Sequence, residues 1–317
     1  MGSDILYRNM ENYSAQANSA GVIAVVTQSN ITVDDMYIKY STIGSNCRQS
    51  VATGAIIGFM QSVFSQISNV NVLNNTIGGY SLEQQVCTGG VNGKLSASND
   101  YQFNVSIQKV GINSISTQNS SFISGQNGYA RQSTVNLAKV TILAINISTN
   151  SRDTYCGGFL GLSSSCKIYL STSQISSTRL TAQATVDCVI GSAIGFVTDN
   201  SNATIDCVKI MNVLNQLVAH RVFSGSFFGS VLTTVSSSQT IVANSEVYSV
   251  YINYAATISI ASVLLSLQYP AVSSGYLSVA NTKSLGFSSI NGVLIGNCEA
   301  VIVQNISGNN YLSQTGC

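Results

Sequence analysis

Gly54-Ala55-Ile56-Ile57-Gly58 is one of a series of related segments, and their spacing decides the predicted fold. Pairs of the same Gly-x-x-x-Gly form are Gly89/Gly93, Gly157/Gly161, Gly191/Gly195, Gly225/Gly229 and Gly292/Gly296. From one pair to the next, the first glycine advances by one or two steps of a period of about 34 residues. A fixed period of this length indicates a repeat protein.

Three further segments fill the missing steps of the series. They are Ala20-Gly-Val-Ile-Ala24, Ser121-Phe-Ile-Ser-Gly125 and Ile258-Ser-Ile-Ala-Ser262. With these the sequence predicts about nine copies between residue 19 and the end of the chain.

The segments between the glycine pairs alternate apolar and polar residues with a period of two, which predicts strands. In one example Phe103, Val105 and Ile107 form the apolar set. Helix formers are scarce there, so tetratricopeptide and ankyrin arrays are excluded, and a propeller blade needs about 40 residues. The sequence therefore predicts an all-β parallel β-solenoid of about nine coils, where one coil is one repeat.

Residues 1–18 lack the repeat and are predicted to form a short N-terminal capping helix. Leu6, Met10 and Tyr13 recur at helical spacing behind Ser3 and Asp4. A repeat array needs a cover over its first coil, because exposed strand edges pair with other chains. The predicted domains are therefore the cap, 1–18, and the β-solenoid, 19–317.

The repeated glycines are predicted to be structural. If each pair lies within one strand, both glycines share a face with the central residue between them. Those central residues are Ile56, Val91, Phe159, Ala193, Phe227 and Leu294. Stacking the coils then leaves a groove or lets a facing strand approach closely.

The composition predicts a folded, nearly uncharged protein. Only 8% of the 317 residues are charged, with 13 basic and 12 acidic side chains, and 45% are hydrophobic. Without a basic cluster we expect no nucleic-acid partner, and no apolar run is long enough for a membrane span. With 1 histidine and no Cys-x-x-Cys spacing, we expect no metal and no cofactor.

The 8 cysteines allow disulfides in an oxidising compartment, or buried free thiols. Cys156 and Cys188 are separated by nearly one period, and we predict that they lie close enough to pair. Weaker candidates for disulfides are Cys47 with Cys87 and Cys166 with Cys207.

Eight N-glycosylation sequons permit a secreted glycoprotein, although a chain so rich in Asn, Ser and Thr contains that many by chance. They are at Asn12, Asn30, Asn74, Asn104, Asn119, Asn146, Asn202 and Asn305. Met1 is not followed by the apolar core of a signal peptide. We expect either a leader that has been removed or an unusual route of export.

The segments Gly54-Ala-Ile-Ile-Gly58, Gly157-Gly-Phe-Leu-Gly161 and Gly191-Ser-Ala-Ile-Gly195 are each followed by a polar turn and an apolar-polar strand. In this they resemble the GLUG-type repeats of secreted and cell-surface proteins of bacteria and protists. The resemblance covers most of the chain. It implies an extracellular structural stalk or adhesin, and it transfers no catalytic residue.

A carbohydrate-active β-helix enzyme, a polysaccharide lyase or hydrolase, is the alternative. Asp153 and Asp187 are separated by one full period and should lie directly above one another, near Arg152 and Arg179. Two stacked carboxylates can act as general acid and base. The non-catalytic alternative is a pair of surface carboxylates in a turn, and in that case Asp187→Asn should leave folding and any activity almost unchanged.

The partners expected for a surface scaffold are other surface proteins, glycans or further copies of the chain. The last coil, from Gly292 onward, carries only Glu299 to discourage strand pairing. We therefore expect either self-association through the terminal coils or a longer array.

Overall fold

The structure, a computed structural model, describes residues 16–232, 239–267, 276–280, 283–285, 293–296, 301–304 and 307–308. All regular secondary structure in these residues is β-strand, and strands of consecutive coils pair in parallel. The protein is an all-β parallel β-solenoid with about six coils up to Leu232. The first strand begins at Gln16, inside the predicted cap, and residues 1–15 of that cap lie outside the described part of the chain.

The first three coils contain four strands each. They are β1 (Gln16–Ala20), β2 (Ile23–Thr27), β3 (Asn30–Lys39), β4 (Thr42–Cys47), β5 (Ser50–Gly54), β6 (Ile57–Gln61), β7 (Phe64–Leu73), β8 (Thr76–Ser81), β9 (Val86–Gly89), β10 (Asn92–Ser96), β11 (Asn99–Gln108) and β12 (Gly111–Ser116).

In the following coils some strands run on from one coil into the next. The strands are β13 (Ser120–Ser124), β14 (Asn127–Arg131), β15 (Thr134–Ala138), β16 (Thr141–Leu143), β17 (Asn146–Gly157), β18 (Leu160–Ser164), β19 (Lys167–Ser171), β20 (Gln174–Gly191), β21 (Ile194–Thr198), β22 (Asn202–Asp206), β23 (Lys209–Gly225), β24 (Phe228–Leu232), β25 (Gln239–Ala243) and β26 (Glu246–Leu267). The described C-terminal strands are β27 (Tyr276–Ala280), β28 (Lys283–Leu285), β29 (Val293–Gly296), β30 (Val301–Gln304) and β31 (Ser307–Gly308).

Equivalent residues of successive coils stack in columns. One column in the interior consists of Ile43, Ile77, Ile112, Ile147 and Leu180, each paired with the next in register and each at most 1% exposed. Such columns join into one hydrophobic core that extends from Val33 to Val250. Burial of these aliphatic side chains, at about 25 cal/mol per Å², is the main stabilising contribution.

The corners of each coil are formed by residues with positive φ, most of which are not asparagine. These residues fall into three columns, namely Gln28, Ser62, Ala97, Gln132, Ser165 and Asp199; Asp35, Asn69, Asn104, Lys139, Thr172, Cys207 and Asn244; and Tyr40, Asn74, Lys109, Ala144, Ser177 and Asn212. A left-handed residue reverses the alternation of the chain and bends the strand.

A buried serine follows several of these corners and satisfies their backbone groups. The Ser98 hydroxyl donates to the Ser96 carbonyl at 2.8 Å and accepts the Val63 N–H at 3.2 Å. Ser133 repeats this one coil later, since its Oγ accepts the Ser98 N–H at 3.1 Å. Both serines are buried and line the inside of the corners.

Each described Gly-x-x-x-Gly pair spans a corner between two strands, so its predicted placement within one strand is wrong. Gly54 ends β5, Gly58 lies in β6, and Ala55 and Ile56 form the bend between them. In the pairs that begin at Gly89, Gly157 and Gly191, the first glycine likewise ends one strand and the second lies in the next, namely Gly93 in β10, Gly161 in β18 and Gly195 in β21.

The pair Gly225/Gly229 needs the same correction. Gly225 is the last residue of β23, whereas Gly229 lies inside β24, beyond the bend. Gly229 is buried, and a Cβ there would lie 2.6 Å from the Gly195 carbonyl oxygen of the preceding coil. Of the last predicted pair, Gly296 ends β29, while Gly292 lies outside the described residues.

The close approach predicted from these glycines is present. A Cβ on Gly93 would lie 2.6 Å from the Gly58 carbonyl oxygen and 2.6 Å from the Thr53 backbone nitrogen. Real Cβ atoms are not found so close to backbone atoms. The glycine is therefore required by the contact between two strands of the solenoid.

Register corrects two of the segments that were proposed to fill the series. Ser124 pairs with both Gly89 and Gly157, so the fourth coil uses Ser124 and Gly128 rather than the predicted Ser121 and Gly125. The predicted Ile258–Ser262 segment is also misplaced, because Ser224 pairs with Ala261 and Gly225 therefore aligns with Ser262. Ala20 does pair with Gly54, as predicted.

Candidate functional site

The two candidate catalytic carboxylates lie in neighbouring strands and directly in register. Asp153 in β17 pairs with Asp187 in β20, which confirms the stacking predicted from their spacing. Their side chains are 18% and 14% exposed. Both lie within strands, so the alternative placement of Asp187 in a turn is wrong.

Asp187 is neutralised by an arginine that the sequence analysis overlooked. Arg221 lies one coil further on and pairs with Asp187 in register. Its Nε donates to Oδ1 at 2.6 Å and its Nη2 donates to Oδ2 at 2.7 Å. Hydrogen bonding and the charge of Asp187 raise the pKa of Arg221. The signal was available, because Arg221 follows Asp187 by the same single period that separates the two aspartates.

The two arginines that were predicted near this pair contribute little to it. Arg152 Nε lies 3.9 Å from Asp153 Oδ2, at the edge of an ion pair, and its side chain is 60% exposed. Arg179 instead donates from Nε to Gln216 Oε1 at 3.0 Å. Asp153 also receives a long hydrogen bond, at 3.5 Å, from Ser120 Oγ.

Tyr155 lies two residues beyond Asp153 and continues into a stack of aromatic rings. Its ring centroid is 5.4 Å from that of Phe122 and 5.3 Å from that of Phe196, and the rings are stacked. Burial, helped by the charges of Asp153 and Asp187, raises the pKa of Tyr155 to about 12. Tyr155 thus belongs to the aromatic stack that lies beside the two aspartates.

The predicted disulfide between Cys156 and Cys188 is not formed, since both cysteines are free and buried. Cys156 pairs with Ile190 and Cys188 with Thr154, so the two cysteines are offset by two residues along adjacent strands. That offset places their Cα atoms about 8 Å apart, beyond the reach of a disulfide. Burial raises the pKa of both thiols.

The weaker disulfide candidates are not formed either. None of Cys47, Cys87, Cys166 and Cys207 takes part in a disulfide. Cys298 and Cys317 lie outside the described residues.

The predicted glycosylation sites differ in accessibility. Asn30, Asn104 and Asn146 are exposed, and Asn74, Asn119 and Asn202 are half-buried. Asn12 and Asn305 lie outside the part of the chain that the structure describes.

The described residues contain neither a metal-binding cluster nor a membrane-spanning helix. They contain no group of three or more His, Cys, Asp or Glu side chains that could hold a metal ion. No helix among them is long and apolar enough to cross a membrane. Comparison with known proteins adds no relative, because no family model, no curated protein and no solved structure matches the chain.

Proposed function

We propose that the protein is an extracellular structural or adhesive β-solenoid, a cell-surface stalk or scaffold without catalytic activity. The observation that carries this proposal is the pairing of Asp187 with Arg221. It engages one of the two stacked carboxylates predicted for catalysis, Asp187, in an ion pair. What remains is a continuous parallel ladder whose surface carries few charges.

The finer features of the predicted array belong to the same proposal. They are about nine coils with a period near 34, an N-terminal capping helix now confined to residues 1–15 because β1 begins at Gln16, and self-association through the terminal coils. The resemblance of the glycine segments to GLUG-type repeats supports a surface location. Sedimentation velocity over a hundredfold range of concentration tests self-association, because an assembling chain sediments faster as its concentration rises.

The adhesive role is tested with beads that carry the full chain. We expect coated beads to adhere to glycan-bearing surfaces under flow more strongly than beads coated with albumin. Equal adhesion of the two kinds of bead contradicts the proposal.

The alternative, a polysaccharide lyase or hydrolase using Asp153 and Asp187, is favoured by one observation, the in-register stacking of the two carboxylates. Release of new reducing ends from neutral and acidic polysaccharides tests it. Cleavage by the wild type that is lost in both Asp153→Asn and Asp187→Asn would establish the enzyme and overturn the scaffold.

The Asp187→Asn substitution also has a predicted effect on stability. We expect it to lower the free energy of unfolding by about 1 kcal/mol, since it removes a bidentate charged pair that is partly exposed to solvent. Asp153→Asn is the matched control and should change stability less, because Arg152 is 3.9 Å away. Urea unfolding measures both, and an equal loss in the two variants contradicts the assignment of Arg221 to Asp187.

A further inference from the structure

A groove crosses the outer face of the strands β3, β7, β11 and β15. Among the residues that line it are Asp34, Gln66, Tyr101, Phe103 and Asn136, which come from four successive coils. Its volume is about 460 Å³. Sites that bind small ligands usually have about 300 to 1,000 Å³ and combine aromatic walls with a few polar groups.

The aromatic rings of the groove face outward because of the corner at Asn104. Asn104 has a φ of 54°, which reverses the alternation between Phe103 and Val105. Phe103 is therefore 46% exposed while Val105 is buried, and the predicted sharing of one face by these two residues is wrong. Tyr101, two residues before Phe103, is 38% exposed on the same outer face.

Amide side chains border the tyrosine in both neighbouring coils, and the centroid of the Phe64 ring lies 5.3 Å from that of Tyr101. Tyr101 pairs in register with Gln66 in the preceding coil and with Asn136 in the following coil. Coils are separated by about 4.8 Å, so both amides are within reach of a ligand that lies on the tyrosine ring. Each amide offers both donors and acceptors.

A carboxylate at the end of the groove is held in place by its neighbours. Asp34 Oδ1 accepts from Ser68 Oγ at 2.6 Å and from Asn69 Nδ2 at 2.9 Å, and Asn69 Oδ1 accepts from Asn104 Nδ2 at 2.8 Å. These hydrogen bonds, that from Ser68 first, hold the pKa of Asp34 below its ordinary value. Asp34 is thus an oriented acceptor, and neither Ser68 nor Asn69 occupies its second oxygen, Oδ2.

Only one of the residues that line the groove, Asp34, is charged. Lys139 Nζ lies 4.8 Å from the centroid of the Phe103 ring, and its charge is opposite to that of Asp34. A single carboxylate with a single ammonium group nearby favours neither a polyanionic nor a polycationic ligand. A protein partner normally covers about 20 to 30 residues per side, more than the nine that line this groove.

We propose that this groove binds a short neutral oligosaccharide, with its sugar rings on Tyr101 and Phe103 and its hydroxyls on Gln66, Asn136 and Asp34. This inference rests on the proposed adhesive function and names the class of its ligand. Aromatic faces present a flat apolar surface to the C–H groups of a sugar ring, and the amides and the carboxylate satisfy its hydroxyls.

Titration of the full chain with neutral tetrasaccharides of glucose, N-acetylglucosamine, mannose and galactose tests the proposal, by saturation-transfer NMR and calorimetry. We expect at least one to bind and Tyr101→Ala to weaken it at least about tenfold, since aromatic anchors dominate such sites. Tyr169→Ala is the matched control. Tyr169 is 44% exposed and follows Asn136 in the same column, outside the groove, so its removal should leave affinity unchanged.

Two results would overturn the proposal: no tetrasaccharide binding to the wild type at millimolar concentration, or Tyr101→Ala binding as tightly as Tyr169→Ala. Far-UV circular dichroism and thermal unfolding verify that both variants fold. Bead adhesion separates this inference from the proposed function. If saccharides do not bind but coated beads adhere, the proposed saccharide site is wrong and the adhesive function stands. If saccharides bind but coated beads do not adhere, the saccharide site stands and the adhesive function is wrong.

Discussion

At the scale of single residues, the most demanding positions are the glycines where two strands touch through their backbones. Gly93 faces the Thr53 backbone oxygen as well as its nitrogen, and a Cβ there would lie 2.7 Å from that oxygen. Backbone atoms cannot move aside as the end of a side chain can. The requirement for glycine therefore comes from space rather than from an unusual φ.

We expect Gly93→Ala to lower the free energy of unfolding by about 4 kcal/mol or to prevent folding, because steric overlap with backbone belongs to the severe class of mutations. Gly111→Ala is the matched control, since a Cβ at Gly111 meets nothing within 4 Å. Denaturant unfolding monitored by circular dichroism compares them. Similar losses in the two variants would contradict the packing described here.

Asp100 is the second residue with unusual demands, because it is a fully buried carboxyl. Ser65 Oγ donates to its Oδ1 at 2.6 Å, and Gln102 Nε2, Asn92 Nδ2 and Asn127 Nδ2 donate to its Oδ2 at 2.6, 3.1 and 3.2 Å. Burial raises the pKa of Asp100 above its ordinary value of 3.8, against the lowering effect of these hydrogen bonds.

The raised pKa predicts how stability depends on pH. Above pH 3.8 the unfolded chain releases the Asp100 proton while the folded protein keeps it, so the folded state loses stability as pH rises toward the folded pKa. The difference in unfolding free energy between wild type and Asp100→Asn should therefore fall as pH rises from about 4.

Asp34→Asn provides a control of opposite sign for this measurement. Because the folded pKa of Asp34 is lowered, its contribution is present at neutral pH and lost as pH falls. Urea unfolding from pH 2 to 7 gives both slopes, because the contribution of Asp34 changes only below its ordinary value of 3.8. A flat or rising difference for Asp100→Asn would contradict the burial of a carboxyl that is costly to ionise.

At the scale of the strands and corners, buried hydroxyls connect one coil to the next. Ser133 Oγ donates to the Arg131 carbonyl at 2.7 Å while it accepts the Ser98 N–H. We expect Ser133→Ala to cost about 1 to 3 kcal/mol, because it leaves a buried N–H without a partner. Ser148→Ala is the control at an exposed position of β17, where urea unfolding should show almost no change. Equal stability of the two variants would show that water replaces the hydroxyl.

The corners are also where prediction from the sequence fails. Ala97, Gln132, Lys139 and Cys207 adopt positive φ, although none of these residue types favours it. The stacking of each corner on the corners above and below imposes the conformation, and no local pattern reveals it. The corner at Asn104 breaks the alternation of apolar and polar residues, so the period of two did not predict that Phe103 points outward while Val105 is buried.

At the scale of the whole molecule, the sequence was sufficient for the fold class, an all-β parallel β-solenoid. The regular return of the glycine segments and the scarcity of helix formers predicted a parallel β-solenoid, and register confirmed that Asp153 stacks on Asp187. Arg221 follows Asp187 by the same spacing of one period, so a comparison of acidic with basic residues would have predicted this ion pair as well. The cysteines show the limit of an argument from spacing. Cys156 and Cys188 lie in paired strands, but they are two residues out of register and therefore too far apart to form a disulfide.

Because each coil of a solenoid packs only on its neighbours, a destabilising substitution in one coil should affect mainly the adjacent coils. In Ser133→Ala, native-state hydrogen exchange should accelerate most for amides in β11 and β19, which flank β15. Amides of β2, three coils earlier than β14, should exchange as in the wild type. Uniform acceleration along the chain would instead indicate one cooperative unit.

The connections between coils differ in length although the columns that they join do not shift. Two residues separate β4 from β5, four separate β8 from β9, and three separate β12 from β13. We therefore expect the stacked coils to accommodate insertions and deletions at this edge. For protein engineering, the same edge offers grafting sites for foreign peptides, repeated along the axis at intervals of about 4.8 Å.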